Sequence, residues 1–168
     1  MSTLKWSSLI VAVSLLISAI GPKEYFTWFL EVLPVLIGYP LLFFTYTRFQ
    51  FTPLAYQLIA LHALVLIVGG HYTYAEVPLF DWIKELFSLE RNHYDRVGHF
   101  FQGFIPALWI REILIRNEII RGKKWLFFFV TAACLAFSAC YELFEWWISL
   151  ATGEAGNAFL GTQGDIWD

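Results

Sequence analysis

Sulfur and charge are the first things this chain of 168 residues has little of. There are only two cysteines, Cys134 and Cys140. They stand six apart in one apolar run, about 600° of helical rotation, and so face different ways. They read as small buried residues, and a secreted module stapled by disulfides is excluded. Charged residues make up 15% of the chain, and 11 basic against 14 acidic ones leave a net charge of −3. No polybasic face is available for nucleic acid, and the apolar content excludes a disordered chain. The H-E-x-x-H, G-x-S-x-G, P-loop and dinucleotide fingerprints are all missing, as is G-x-x-x-G. So are internal repeats, low-complexity tracts and any sign of a second domain.

What is abundant is apolar surface. Hydrophobic residues reach 58%, aromatic residues 20%, and the mean hydropathy is +0.59. A soluble domain of 19.5 kDa would lack the polar surface to cover itself. The composition therefore predicts a protein whose partner is the lipid bilayer: an all-α, polytopic transmembrane bundle forming a single integral membrane domain over 1–168.

A spanning helix needs roughly 20 mostly apolar residues. Gaps between charges predict five spans, at about 6–22, 25–47, 53–74, 96–115 and 125–150, followed by a tail over 151–168. The first is short and ends at the helix-breaking pair Gly21-Pro22. Lys5 before an apolar core also fits a signal peptide, but no small-x-small cleavage site follows, so a retained helix is preferred. The fourth holds a charge-free core of only 97–110, which puts Arg111 at the membrane edge, reaching outward along its stem. Between the third and fourth spans, Leu79, Phe80, Ile83, Leu86 and Phe87 recur at helical spacing, with Asp81, Lys84, Glu85 and Ser88 between them. Pro78 suits the first position of a helix. An amphipathic helix on the membrane surface and a loop packing its apolar residues on the bundle both fit.

Basic residues set orientation. With the N-terminus in the cytoplasm, Lys5, Arg48, Arg111, Arg116, Arg121, Lys123 and Lys124 fall inside, while Lys23, Lys84, Arg91 and Arg96 fall outside. That distribution predicts an inward N-terminus and an outer tail.

The ionisable residues then gather on one side. His71 falls near the outer end of the third span, and His93, Asp95 and His99 at the outer end of the fourth. Glu142 and Glu145 lie in the outer half of the fifth, and Asp165 and Asp168 in the tail. Asp95 and His99 are i, i+4 and share a helix face; Glu142 and Glu145 are i, i+3. Ionisable groups inside a membrane are costly and mark function by default. These eight residues are candidate ligands for a divalent metal such as zinc, and Asp95, His99, Glu142 and Glu145 are candidate acid–base groups. An ion pair of Arg96 with Glu142 or Glu145 that merely fixes helix register is the structural alternative. His62 reads as a packing residue, and Glu31 as either a histidine partner or a boundary residue. Ala132, Ala136 and Cys140 form a stripe that permits close helix packing.

Three segments carry a resemblance: His93-Tyr-Asp-Arg-Val-Gly-His99, Tyr141-Glu-Leu-Phe-Glu-Trp146 and Phe159-Leu-Gly-Thr-Gln-Gly-Asp-Ile-Trp-Asp168. In this order they resemble the YjdF-like family of bacterial inner-membrane proteins, from the second span to the end. The resemblance implies an inner-membrane location and a multi-span fold, and brings no assigned activity. It also implies that the last motif leads on, through a further Thr-Gln and acidic segment, into a final span.

Three functions follow from the residues. A metal-dependent hydrolase would use a metal-activated water on a lipid or envelope ester. A proton- or cation-coupled transporter would use the same groups as a relay, with His62 and Glu31 at mid-depth. A structural or partner-binding subunit would use them as helix glue.

Overall fold

The computed structural model describes residues 2–153 together with Phe159 and Gln163. Among these the chain is all helix and turn: α1 (Ser2–Ser18), α2 (Tyr25–Thr45), α3 (Pro53–Tyr72), a single 3-10 turn (Tyr74–Glu76), α4 (Pro78–Leu86), α5 (Tyr94–Arg116) and α6 (Lys123–Thr152). α2, α3 and α6 are each long and apolar enough to cross a membrane. α5 is longer than α2 or α3 but carries the polar residues of the site, and α1 is shorter.

Helix boundaries follow local chemistry. α1 stops at Ser18, four residues short of the expected end, and Gly21 takes a positive φ of 66° that continues no helix. The Glu24 carboxylate caps α2 by accepting from the backbone N–H groups of Phe26 and Thr27. Thr52 caps α3, its hydroxyl accepting from the N–H of Ala55, with Pro53 in the first turn. Asn92 stands before α5 and accepts from the N–H of Tyr94 at 3.0 Å.

α3 is the central post. α1 and α2 pack along one side of it and α5 along the other, and α6 packs on α5. The seam of α1, α2 and α3 is dry: Val11, Val32, Val35, Ala60, Ala63 and Ile67 form one buried cluster. Serines within α1 hand their hydroxyls back to the helix, Ser7 and Ser8 to the carbonyl of Leu4 and Ser18 to that of Leu15. Polar atoms thus enter the apolar seam already satisfied.

The seam of α3 and α5 is tied at both ends. At one end Glu112 of α5 accepts from the N–H and hydroxyl of Thr52 at 2.8 and 3.0 Å, and pairs with Arg116. Arg116 also donates to the Gln50 carbonyl and lies over the Phe49 ring at 4.5 Å. At the other end the Tyr74 ring is wedged between the helices. A Cβ on Gly69 would fall 2.1 Å from that ring, and one on Gly98 would fall 2.7 Å from it. Glycine is required at both positions because any side chain would collide with the ring.

α4 begins at Pro78, as its sequence predicts. Its apolar residues divide between two faces: Phe80 packs on Tyr94, while Leu79, Trp82 and Leu86 are exposed, as is Phe87 just beyond the helix. α6 buries no residue among those described.

Candidate functional site

The end of the bundle built from the start of α2, the end of α3, the start of α5 and the last turns of α6 holds the polar groups. His99 is its centre. Its Nε2 lies 3.4 Å from Asp95 Oδ1, one turn back on α5, and its Nδ1 lies 3.5 Å from Glu142 Oε1 on α6. Arg91 Nη2 stands 3.6 Å from Asp95 Oδ2. The order Arg91, Asp95, His99, Glu142 is therefore a line of alternating character that crosses from α5 to α6. Asp95 is held by both neighbours, and the imidazole sits between two carboxylates.

Beside this line lies a cavity of about 170 Å³. Glu31, His62, Tyr74, Asp95, His99, Gln102, Tyr141 and Glu145 supply its polar wall, and Pro34, Leu66, Pro106, Trp109 and Phe137 its apolar wall. Glu31 is 3% exposed, and the Tyr74 hydroxyl hydrogen-bonds to it. Gly70 lets α3 approach here, since a Cβ would meet Glu31 Cβ at 3.1 Å. Two wall residues are helix-interior prolines, Pro34 in α2 and Pro106 in α5. Proline removes an i to i−4 hydrogen bond and loosens the turn before it, which makes room for a cavity inside a helix bundle. Among the described residues, the Asp95 Oδ2 and the Tyr141 hydroxyl are buried without a hydrogen-bond partner, although Asp95 Oδ2 keeps its ion pair with Arg91. Buried polar atoms of this kind normally have a partner, so the site is chemically open to one.

The structure sorts the sequence candidates. Asp95, His99, Glu142 and Glu145 come together as the spacings predict. His71 does not join them: its Nδ1 contacts the Ser18 carbonyl at 2.8 Å, and its own carbonyl accepts from the N–H of Lys23. Depth along the span had suggested the site, but the side chain points round the helix toward the α1–α2 connection. His93 precedes α5 with its Nδ1 buried, and does not line the cavity. Asp165 and Asp168 lie outside the described residues. It is Arg91 that pairs with Asp95, where the sequence had offered Arg96 to the α6 glutamates. Among the described residues, no three His, Cys, Asp or Glu side chains form a group that would hold a metal ion. A metal held by His99 and Glu142 would need further ligands from elsewhere.

Glu31, Tyr74 and Gln102 are cavity residues that the spacings did not single out for the site. A signal for Tyr74 was present in Gly69-Gly70, an adjacent glycine pair inside an apolar span, which marks a close approach. Gln163, in the tail motif, reaches the same end of the bundle. Its amide accepts from the Asn92 N–H at 3.0 Å and donates to the Asn92 carbonyl at 2.9 Å. Asn92 is fully buried and donates to the Val77 carbonyl and to Asp81, so it gathers α4, α5 and the tail at one point.

Apolar helices enclosing a carboxylate- and histidine-lined cavity define a polytopic helical membrane protein with an internal polar site. The chain belongs to the family described as Predicted membrane protein (DUF2238), which it matches over residues 3–168. It is 50% identical over 165 residues to the inner membrane protein YjdF of Escherichia coli (strain K12), an alignment covering 98% of this chain and 79% of that protein. No solved structure matches it.

Proposed function

We propose that this chain is a multi-pass protein of the bacterial inner membrane, with its N-terminus in the cytoplasm and its cavity toward the outer leaflet. There His99 serves as an acid–base group on a lipid or envelope substrate. The carrying observation is the imidazole between Asp95 and Glu142 at the edge of the cavity. Asp95, fixed by Arg91, orients the ring as second carboxylates do in acid–base sites. In hydrolysis a water gives its proton to His99 as its oxygen bonds the ester carbon. His99 then returns that proton to the leaving alkoxide. A metal-dependent form would add ligands from outside the described residues, with Asp165 and Asp168 the sequence candidates. Metal near one ion per chain, lost in both His99→Ala and Glu142→Ala, would mark that form.

The test is lipid mass spectrometry on protein in nanodiscs of total bacterial lipid. Wild type is expected to convert a lipid species that His99→Gln leaves intact. Identical profiles for the two would overturn the reading. A pH-driven flux in liposomes that Glu142→Gln abolishes would replace it with the transporter. Glu31, an acid buried inside the membrane-length helix α2, is the observation favouring that alternative.

A further inference from the structure

Two residues beyond α6 touch both halves of the site. Phe159 is 3% exposed and lines the polar cavity. Its ring centre lies 6.5 Å from that of Tyr141 and 6.3 Å from that of Phe144, edge to face in both pairs, an arrangement that adds to simple burial. Tyr141 and Phe144 stand on either side of Glu142 in sequence, on a helix that buries no residue of its own and has α5 as its main support. Gln163 acts on the other half. Buried backbone groups must find partners, and its side-chain amide serves both of those on Asn92, accepting from the N–H at 3.0 Å and donating to the carbonyl at 2.9 Å.

Asn92 makes that contact consequential. It is fully buried, and every polar atom it has is engaged. Its Nδ2 donates to the Val77 carbonyl at 3.1 Å and to Asp81 at 2.9 Å, and its Oδ1 accepts from the N–H of Tyr94 at 3.0 Å. The Tyr94 hydroxyl donates in turn to the Val65 carbonyl of α3 at 2.9 Å, which fixes the first turn of α5. Arg91 precedes Asn92 and Asp95 follows it by three residues, and those two pair with each other. A displaced Asn92 would carry with it the ion pair that faces His99 Nε2.

We infer that Phe159 and Gln163 are positioning residues for His99, which together hold Glu142 and Asp95 on opposite sides of its imidazole. The two anchors are four residues apart, so they span at most about 14 Å. A link that short limits how far α6 can move from the start of α5. The inference deepens the function proposed above and rests on that reading only for its consequence in turnover.

The test is a double-mutant cycle of His99→Gln and Glu142→Gln, read as melting temperature in detergent at one neutral pH, in wild type and in Gln163→Ala. Gln163 is exposed, so its truncation opens no core. In wild type the double variant should depart from the sum of the singles by at least about 2 °C. In Gln163→Ala the singles should add. A merely structural role lowers all four melting temperatures together and leaves the non-additivity in place; that result overturns the inference. Additivity already in wild type overturns it too, since the contact that the two residues are said to hold would then be absent. Phe159→Leu, which keeps an apolar side chain but loses the ring, should also bring the singles to additivity, and decides the matter if Gln163→Ala fails to fold. Lipid turnover keeps the failures apart. Coupling lost in Gln163→Ala, with identical lipid profiles for wild type and His99→Gln, sinks the acid–base reading alone. His99-dependent turnover, with coupling unmoved by Gln163→Ala, sinks this one alone.

Discussion

At the scale of single residues, the fold depends on one aromatic ring and two positions without a side chain. Tyr74 fits between α3 and α5 because Gly69 and Gly98 leave it space, and its hydroxyl reaches the buried Glu31. Gly69→Ala or Gly98→Ala should therefore destabilise by about 1–3 kcal/mol, the usual cost of overpacking. Thermal melts in detergent would show it. Adding Tyr74→Ala to Gly69→Ala should cost less than the two changes summed, with a coupling of about 0.5–3 kcal/mol. Strict additivity would mean that ring and glycine do not meet. The same residues show what sequence can and cannot disclose. Asp95–His99 and Glu142–Glu145 were legible because helical spacing fixes which face a residue shares with its neighbour. His71 was misplaced because depth in a span leaves the direction round the helix undetermined. Tyr74 was missed because its role comes from two glycines: Gly69 nearby hints at a close approach, but Gly98, which completes the slot, stands 24 positions further on.

At the scale of elements, the helices were legible wherever apolar length or a cap announced them. α2, α3 and α6 follow the gaps between charges, and Pro78 marks the start of α4. α5 was harder, since the residues that make the site also interrupt its apolar run. The start of α2 carries a pH dependence. Partial burial pushes the Glu24 carboxyl up, but hydrogen bonds from Thr27 and Phe26 outweigh it and bring the pKa below the ordinary 4.5. A folded pKa below the unfolded one means that the stabilisation is fully present above the unfolded value. It is lost as pH falls through the folded one. Wild type should lose melting temperature below about pH 4.5 faster than Glu24→Gln does. At neutral pH, Glu24→Ala should cost about 1 kcal/mol, the scale of a helix N-cap. A melting curve for Glu24→Gln that follows wild type down through acid would remove the cap from the account.

At the scale of the whole molecule, the orientation drawn from the basic residues becomes a labelling prediction. After replacement of Cys134 and Cys140 by alanine, a cysteine at Glu85 in α4 should react with an impermeant maleimide in intact spheroplasts. One at Glu118, between α5 and α6, should react only after permeabilisation. The reverse pattern would place the cavity on the cytoplasmic side. The apolar excess of the sequence is also explained at this scale. α6 exposes Trp125, Phe127, Phe128, Leu135, Trp146 and Leu150, and α4 exposes Leu79 and Trp82. In water these faces would aggregate; in a bilayer they are the outer coat.

The pinned seam has a mechanical consequence. α3 and α5 are fastened at one end by the Tyr74 wedge and at the other by Glu112 on Thr52, so they form a stiff door-frame. α6 leans on that frame from one side, with α5 as its main support and no buried residue of its own among those described. It nevertheless carries Glu142, Tyr141 and Glu145. Half of the site is thus mounted on the leaf and half on the frame. Any displacement of α6 from α5 would therefore part Glu142 from His99, so the integrity of the site depends on how firmly a helix without a buried residue of its own is seated.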